Sequence, residues 1–374
     1  MTRIRILVVD DSVVIRKVLS NTLEEDHELE VVGAASDGRL GLAKIAQLHP
    51  DLVTLDVEMP VMNGLETLAA LRRLYPKLPV VMFSTLTEHG AAATLDALSL
   101  GASDYATKPS NSSGGAALAV EMIRAELIPK IKALCGRRLA KLSVPPPRPL
   151  VKVQRPARRR IEIVTIGSST GGPNALAEVL PRIPREFPVP IVLVQHMPPI
   201  FTRLLAERLA AQCAIPVHEA SAGVALSPAH VWIAPGNFHM TVKGTAAGSR
   251  LELNQERPEN SCRPSVDVLF RSVAEVYGAG ALAVVMTGMG SDGVAGCERI
   301  RQRGGEVIVQ DEPSSVVWGM PGLVYASGQA DGIYPLKQLG EEIAGRVSQT
   351  SSQTRASDIA LKAAASGTVE PRVR

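Results

Sequence analysis

Two series of short apolar runs, separated by one proline- and arginine-rich stretch, constrain this chain more than any other feature. The first comprises Ile4–Val9, Val31–Ala34, Leu52–Leu55, Val80–Phe83 and Asp104–Thr107. The second comprises Ile161–Ile166, Ile191–Gln195, His230–Ala234, Ala281–Thr287 and Glu306–Gln310. Longer helical patterns lie between the runs. Strands that alternate with helices form parallel sheets covered on both faces, and such sheets bind ligands at the carboxyl ends of their strands. The spacing therefore predicts two α/β units, each with a functional edge, and the polar residues that close each run are the first candidates for chemistry.

Composition narrows the classes. The formal net charge is +3, but residues 136–160 hold nine Lys or Arg and no acid, so the remainder is net negative. That distribution gives no support to a nucleic-acid-binding surface over the whole chain. Cys135, Cys213, Cys262 and Cys297 are widely spaced and lack metal-ligand or disulfide-framework spacing. No apolar run approaches the ~20 residues that span a bilayer, and Met1–Arg5 lead straight into a strand without a signal-peptide pattern. A cytoplasmic protein without membrane insertion is expected.

In the first unit Asp10 and Asp11 close the first run, Asp56 the third, Ser84 the fourth, and Lys108, followed by Pro109, the fifth. Three carboxylates at one edge repel one another unless a cation joins them, and hard oxygen donors suit Mg²⁺. With a lysine alongside, this is a phosphoryl-transfer site in which Asp56 attacks to form an acyl phosphate. Val8-Val9-Asp10-Asp11-Ser12, Leu55-Asp56-Val57-Glu58-Met59-Pro60 with Gly64, Ser84, and Lys108-Pro109 resemble a response-regulator receiver domain, a flavodoxin-like fold, over residues 1–125. The resemblance implies that a histidine kinase phosphorylates Asp56. It also implies that Asp10, Asp11, Asp56 and the Glu58 carbonyl bind Mg²⁺, and that Ser84 and Tyr105 report phosphorylation beside Lys108. Asn63 stands where aspartate is common in the family.

Residues 126–158 read as the end of a helix followed by a tether. The stretch 142–160 has five prolines and no amphipathic period, which favours an extended, semi-rigid chain. Residues 348–374 are polar, and disorder is expected there.

In the second unit the first run breaks into Gly167-Ser168-Ser169-Thr170-Gly171-Gly172-Pro173. A strand that turns through glycines and opens a helix at proline exposes hydroxyls and free N–H donors at one point. The G-x-S-x-G spacing selects Ser169 as an exposed elbow serine, although an ordinary connection or a phosphate cradle would read the same way. His196 follows the next run directly, where it can serve as general base. Two strand ends offer a carboxylate to orient it, Asp292 and Asp311. The glycines in Thr287-Gly288-Met289-Gly290-Ser291-Asp292-Gly293 favour Asp292, because they let backbone N–H groups point inward. The order Ser, His, Asp differs from that of the α/β-hydrolases. Gln195-His196, where a dinucleotide fold would carry a ribose-binding acid, argues against that fold.

The elbow, Gln195-His196-Met197-Pro198-Pro199, Phe201-Thr202, Ile233-Ala234-Pro235-Gly236, Arg263-Pro264-Ser265-Val266-Asp267 and the Asp292 loop resemble the effector domain of chemotaxis protein-glutamate methylesterases. This domain, a doubly wound, mostly parallel α/β unit, would occupy residues 159–347. The resemblance implies Ser169 as nucleophile, His196 as base, Asp292 as orienting acid, and backbone N–H groups of Thr170 and Met289 as oxyanion hole, with no cofactor in the esterase site. Ser168 stands where alanine is usual. The implied reaction demethylates glutamyl esters on chemoreceptor cytoplasmic domains and deamidates glutamines there. A receiver-controlled docking module without turnover is the alternative reading. A transcriptional regulator is disfavoured, because no helix-turn-helix follows the tether.

Overall fold

The computed structural model describes residues 3–108, 115–136, 160–245 and 248–348. The expected tether, Pro109 and the polar tail therefore lie outside the described residues, apart from the helical segment up to residue 136, Arg160 and Ser348.

The first unit runs β1 (Ile4–Val9), α1 (Val13–Glu24), β2 (Leu29–Ala35), α2 (Gly38–Leu48), β3 (Leu52–Asp56), α3 (Gly64–Leu74), β4 (Val80–Ser84), α4 (Glu88–Ser99) and β5 (Asp104–Thr107). Its sheet is parallel in the order β2-β1-β3-β4-β5. The chain reverses direction across the sheet between β1 and β3, so the ends of those strands flank a ready crevice. All five β3 residues are buried, as a central strand covered on both faces requires. Asn63 caps α3: its Oδ1 accepts from Glu66 N and Glu66 Oε2 accepts from Asn63 N, both at 2.9 Å. Asparagine caps a helix as well as aspartate does, which accounts for this departure from the family pattern.

Helical structure then continues beyond residue 125 as α5 (Gly115–Met122), a π-helical turn (Ile123–Leu127) and α6 (Ile128–Cys135). Ile123, Leu127 and Ile131 pack with Ile6, Val8, Leu52 and Phe83, so this segment covers one face of the first sheet. The widened turn precedes Pro129, which has no N–H to donate to the preceding turn.

The second unit comprises β6 (Ile163–Ser168), α7 (Gly172–Val179), β7 (Ile191–Gln195), α8 (Pro199–Ala210), β8 (Val217–Glu219), β9 (Val231–Ile233), β10 (His239–Thr245), β11 (Gly248–Asn254), α9 (Val266–Tyr277), β12 (Ala281–Val285), α10 (Val294–Gln302), β13 (Glu306–Gln310), α11 (Met320–Ala326) and β14 (Gly332–Tyr334). A further helix spans 336–348. Seven strands form a parallel sheet in the order β14-β13-β12-β6-β7-β9-β8, and β10 and β11 form a separate antiparallel hairpin. The chain leaves β6 towards β7 and later returns to β12 on the other side, which makes the β6/β12 boundary the switch point of this sheet. Ser169, His196 and Asp292 follow β6, β7 and β12.

The two units meet face to face. Leu95, Leu98 and Tyr105 of the first share one apolar cluster with Ala175, Leu176 and Phe201 of the second. The rings of Tyr105 and Phe201 stack with centroids 4.6 Å apart and planes 9° from parallel.

Candidate active site

At the elbow, the two neighbouring serines have opposite fates. Ser168 is fully buried and donates to Gln195 Oε1 at 2.7 Å. Gln195 Nε2 in turn donates to the Ser169 carbonyl at 2.9 Å, and Ser169 N donates to the Thr287 carbonyl at 3.1 Å. The Ser169 backbone is thus pinned from β7 and from the β12 loop, while its hydroxyl makes no hydrogen bond among the described residues. Gly171 turns the chain with φ +77°, a conformation glycine adopts without strain. Gly288 lets the β12 loop approach, because a Cβ there would lie 2.4 Å from Met320 Sδ and 2.9 Å from Ser169 Cβ.

His196 Nε2 lies 2.8 Å from Asp292 Oδ2. The Asp292 carboxylate also accepts from Val266 N at 2.7 Å, Ser265 Oγ at 2.8 Å, Asn260 Nδ2 at 3.0 Å and Asp267 N at 3.1 Å. Two of these donors open the first turn of α9, where N–H groups have no helical partner and favour negative charge. Burial alone would raise the Asp292 pKa; the hydrogen bond and charge of His196 and the two backbone donors outweigh it and hold the carboxyl far below the usual range. For His196, burial disfavours the imidazolium, but the hydrogen bonds and charges of Asp292 and Cys262 prevail and raise its pKa to about 9. Asp311, the other strand-end acid, caps a local turn, accepting from Ser314 N at 3.2 Å. Neither Thr170 N nor Met289 N donates to a described residue, so both are available to an oxyanion.

The first unit lies over this edge. Thr170 Oγ1 donates to Asp104 Oδ2 at 2.7 Å in a buried contact, and Asn174 Nδ2 donates to the Leu98 carbonyl at 2.7 Å. Exposed pairs Arg203–Glu88 and Arg208–Asp96, each at 2.7 Å, border the contact. Exposed ion pairs contribute about 0–1 kcal/mol, so the aromatic stack and the buried Thr170–Asp104 bond dominate this interface. Lys130 donates to the Tyr105 carbonyl at 2.6 Å, and its Nζ lies 4.7 Å from the centre of that ring. Nothing in the local sequence of Thr170, Asp104 or Phe201 signals that they meet, because only the docking of two separately folded units joins them.

At the edge of the first sheet, Asp10, Asp11 and Asp56 present oxygens within 4.8 Å of one another. Lys108 Nζ lies 2.8 Å from Asp10 and 2.6 Å from Asp56. Burial raises the Asp56 pKa to about 6 despite the lysine, with the Asp10 charge adding to the rise. A cavity of about 140 Å³ opens here, lined by Asp11, Asp56, Glu58, Ser84 and Lys108 among others. Ser84 Oγ donates to the Gly90 carbonyl at 3.1 Å, while Tyr105 faces the second unit.

Residues 164–343 match the family model for the CheB methylesterase, and residues 6–117 match that for the response regulator receiver domain. The protein-glutamate methylesterase/protein-glutamine glutaminase of Trichodesmium erythraeum is 52% identical over 93% of this chain and 100% of its own length. That of Nocardioides sp. is 50% identical over 93% and 97%. The chain belongs to the CheB methylesterase family. The crystal structure of the Thermotoga maritima CheB methylesterase catalytic domain matches with a TM-score of 0.49 at 42% identity, covering 50% of this chain and 98% of that one. As a CheB family member, the chain joins a receiver domain to a methylesterase domain, and no described helix is long and apolar enough to cross a membrane.

Proposed function

We propose that this chain is a phosphorylation-controlled serine hydrolase that demethylates glutamate methyl esters on chemoreceptor cytoplasmic domains, releasing methanol, and deamidates receptor glutamines. The observation that carries this reading is the ordered path from Asp292 to His196 beside an elbow serine whose hydroxyl is uncommitted. Ser169 attacks the ester carbonyl, and His196 takes its proton through Nδ1 while Asp292 holds Nε2. Backbone N–H groups of Thr170 and Met289 receive the oxyanion; in serine hydrolases each such donor is worth roughly 3–4 kcal/mol. Methanol leaves with the proton from His196, and water repeats the sequence on the acyl-enzyme.

The receiver site supports phosphorylation of Asp56 by a histidine kinase. Three carboxylates in mutual reach, of which Asp10 and Asp56 share the Lys108 ammonium, suit Mg²⁺, with the Glu58 carbonyl as a further donor. Such an ion, when bound, offsets the charge of the transferring phosphoryl group. Asp56 supplies the attacking oxygen and Lys108 pairs with the phosphoryl group. The stack of Tyr105 on Phe201 and the bond from Thr170 to Asp104 support a resting state in which the receiver covers the elbow. Phosphorylation favours a Tyr105 position incompatible with that stack and so uncovers Ser169. Methanol release from methylated receptor tests the reading: Ser169→Ala removes it, and a chain beginning at Arg160 releases methanol faster than the full chain. An equally slow short chain would contradict masking.

A further inference from the structure

Cys262 has no part in the mechanism above, yet its sulfur lies 3.6 Å from His196 Nδ1. Because Asp292 holds the other ring nitrogen, Nδ1 is the one atom through which the imidazole can exchange a proton with Ser169. Thiol and serine hydroxyl thus compete for a single position, and in this receiver-docked arrangement the thiol has it.

The loop that carries Cys262 is built to hold it there. Glu259 and Cys262 exchange backbone hydrogen bonds, Glu259 N to Cys262 O at 3.1 Å and Cys262 N to Glu259 O at 2.9 Å. The turn between them places Asn260 and Ser261 in left-handed conformations, φ 52° and 61°, which non-glycine residues retain only where their surroundings compensate. Asn260 supplies that compensation by donating to Asp292 Oδ1 at 3.0 Å and Asp267 Oδ2 at 2.9 Å. Arg271 clasps Glu259 through two bonds of 2.6 Å. The thiol is therefore anchored to the same carboxylate that orients the imidazole.

We propose that Cys262 is a positioning residue for the esterase reaction: its thiol occupies His196 Nδ1 in the resting enzyme, and the imidazole serves Ser169 only when this contact is released. The proposal rests on the roles given above to Ser169 and His196. Release moves a single proton: any proton on Nδ1 returns to the sulfur or passes to solvent, leaving a neutral imidazole to accept from Ser169. The ionisable groups facing the ring are Asp292 and Cys262, with Asp267 one hydrogen bond further away through Asn260. The raised pKa of His196, with both Asp292 and Cys262 among its causes, agrees with such a hold.

The test uses the full chain and methylated receptor, following methanol release across pH without a phosphodonor. Cys262→Ala should move the midpoint of the rising kcat limb down by roughly one pH unit, the size expected from one lost hydrogen bond to a charged group, with KM unchanged. Cys262→Ser, which keeps a hydrogen-bonding hydroxyl but no ionisable group beside the ring, should fall between. A second readout needs no esterase turnover. Iodoacetamide forms an S–C bond at Cys262 with loss of iodide, and mass spectrometry at that residue should show slower labelling in His196→Gln than in the parent. Coincident pH profiles of parent and Cys262→Ala would overturn the proposal, as would equal labelling rates if the alanine variant does not fold. Full methanol release by Ser169→Ala would instead overturn the assignment of Ser169 as the nucleophile on which the proposal rests, so the two failures are distinguishable.

Discussion

The molecule contains two parallel sheets with a carboxylate at each switch point, and it treats those carboxylates in opposite ways. Asp56 sits among like charges, with Lys108 and a long 3.3 Å bond from Glu58 N as its partners, and its pKa is raised to about 6. Asp292 accepts from four donors besides His196, and its pKa is driven down. A carboxylate left short of partners attracts a cation and keeps an oxygen free to attack; a fully satisfied one can only hold its neighbour in place. On the roles proposed above, the same topology serves a nucleophile in one unit and an orienting group in the other, and the number of donors around each carboxylate separates them.

The strongest way to break this contrast is at the catalytic edge. Ser169→Ala should reduce methanol release by about a thousandfold or more, measured on methylated receptor; substantial residual turnover would remove the nucleophile from the scheme. Asp292→Asn should cost about a hundredfold to ten-thousandfold in kcat with little change in KM, because an amide cannot stabilise the imidazolium. Asp56→Asn should instead abolish the response to a phosphodonor, read as the ratio of rates with and without it.

Smaller effects sharpen the comparison. Phe201→Ala removes a stack worth about 0.5–1.5 kcal/mol beyond its buried area, so the unphosphorylated enzyme should become roughly two- to tenfold faster. The reverse sign, a slower enzyme, would mean that Phe201 serves substrate and not docking. The pH dependence follows from His196: the base works only when neutral and its pKa is raised to about 9. The rate without phosphodonor should therefore rise with pH from neutrality through about 9, and a profile flat above pH 7 would contradict the hold on the proton.

Much of this was legible in the chain itself. The buried runs that became β1, β3, β4, β5, β6, β7, β12 and β13 carry their acids, serines and histidine at their ends, and hydrophobic burial fixes such runs locally. The strands β8 and β14 have three residues each, too short to show a period, and the β10–β11 hairpin lies outside the alternation of strands and helices. For the orienting acid, the glycines beside Asp292 favoured it over Asp311 in the chain, and in the fold the α9 N-terminus, Asn260 and His196 gather around Asp292 while Asp311 caps a local turn. The contacts of Thr170 with Asp104 and of Tyr105 with Phe201 have no local signature. Cys262 lacks metal-ligand spacing along the chain, and its nearness to His196 arises from the folded turn at Asn260 and Ser261.

What joins the two carboxylates is the covering of one site by the unit that contains the other. Methanol release by the full chain, measured on methylated receptor with and without a small-molecule phosphodonor and Mg²⁺, addresses that link. Covering predicts a rise of at least about tenfold on phosphorylation, the equivalent of about 1.4 kcal/mol taken from the docked state. An unchanged rate, with Asp56 shown to be phosphorylated, would contradict it.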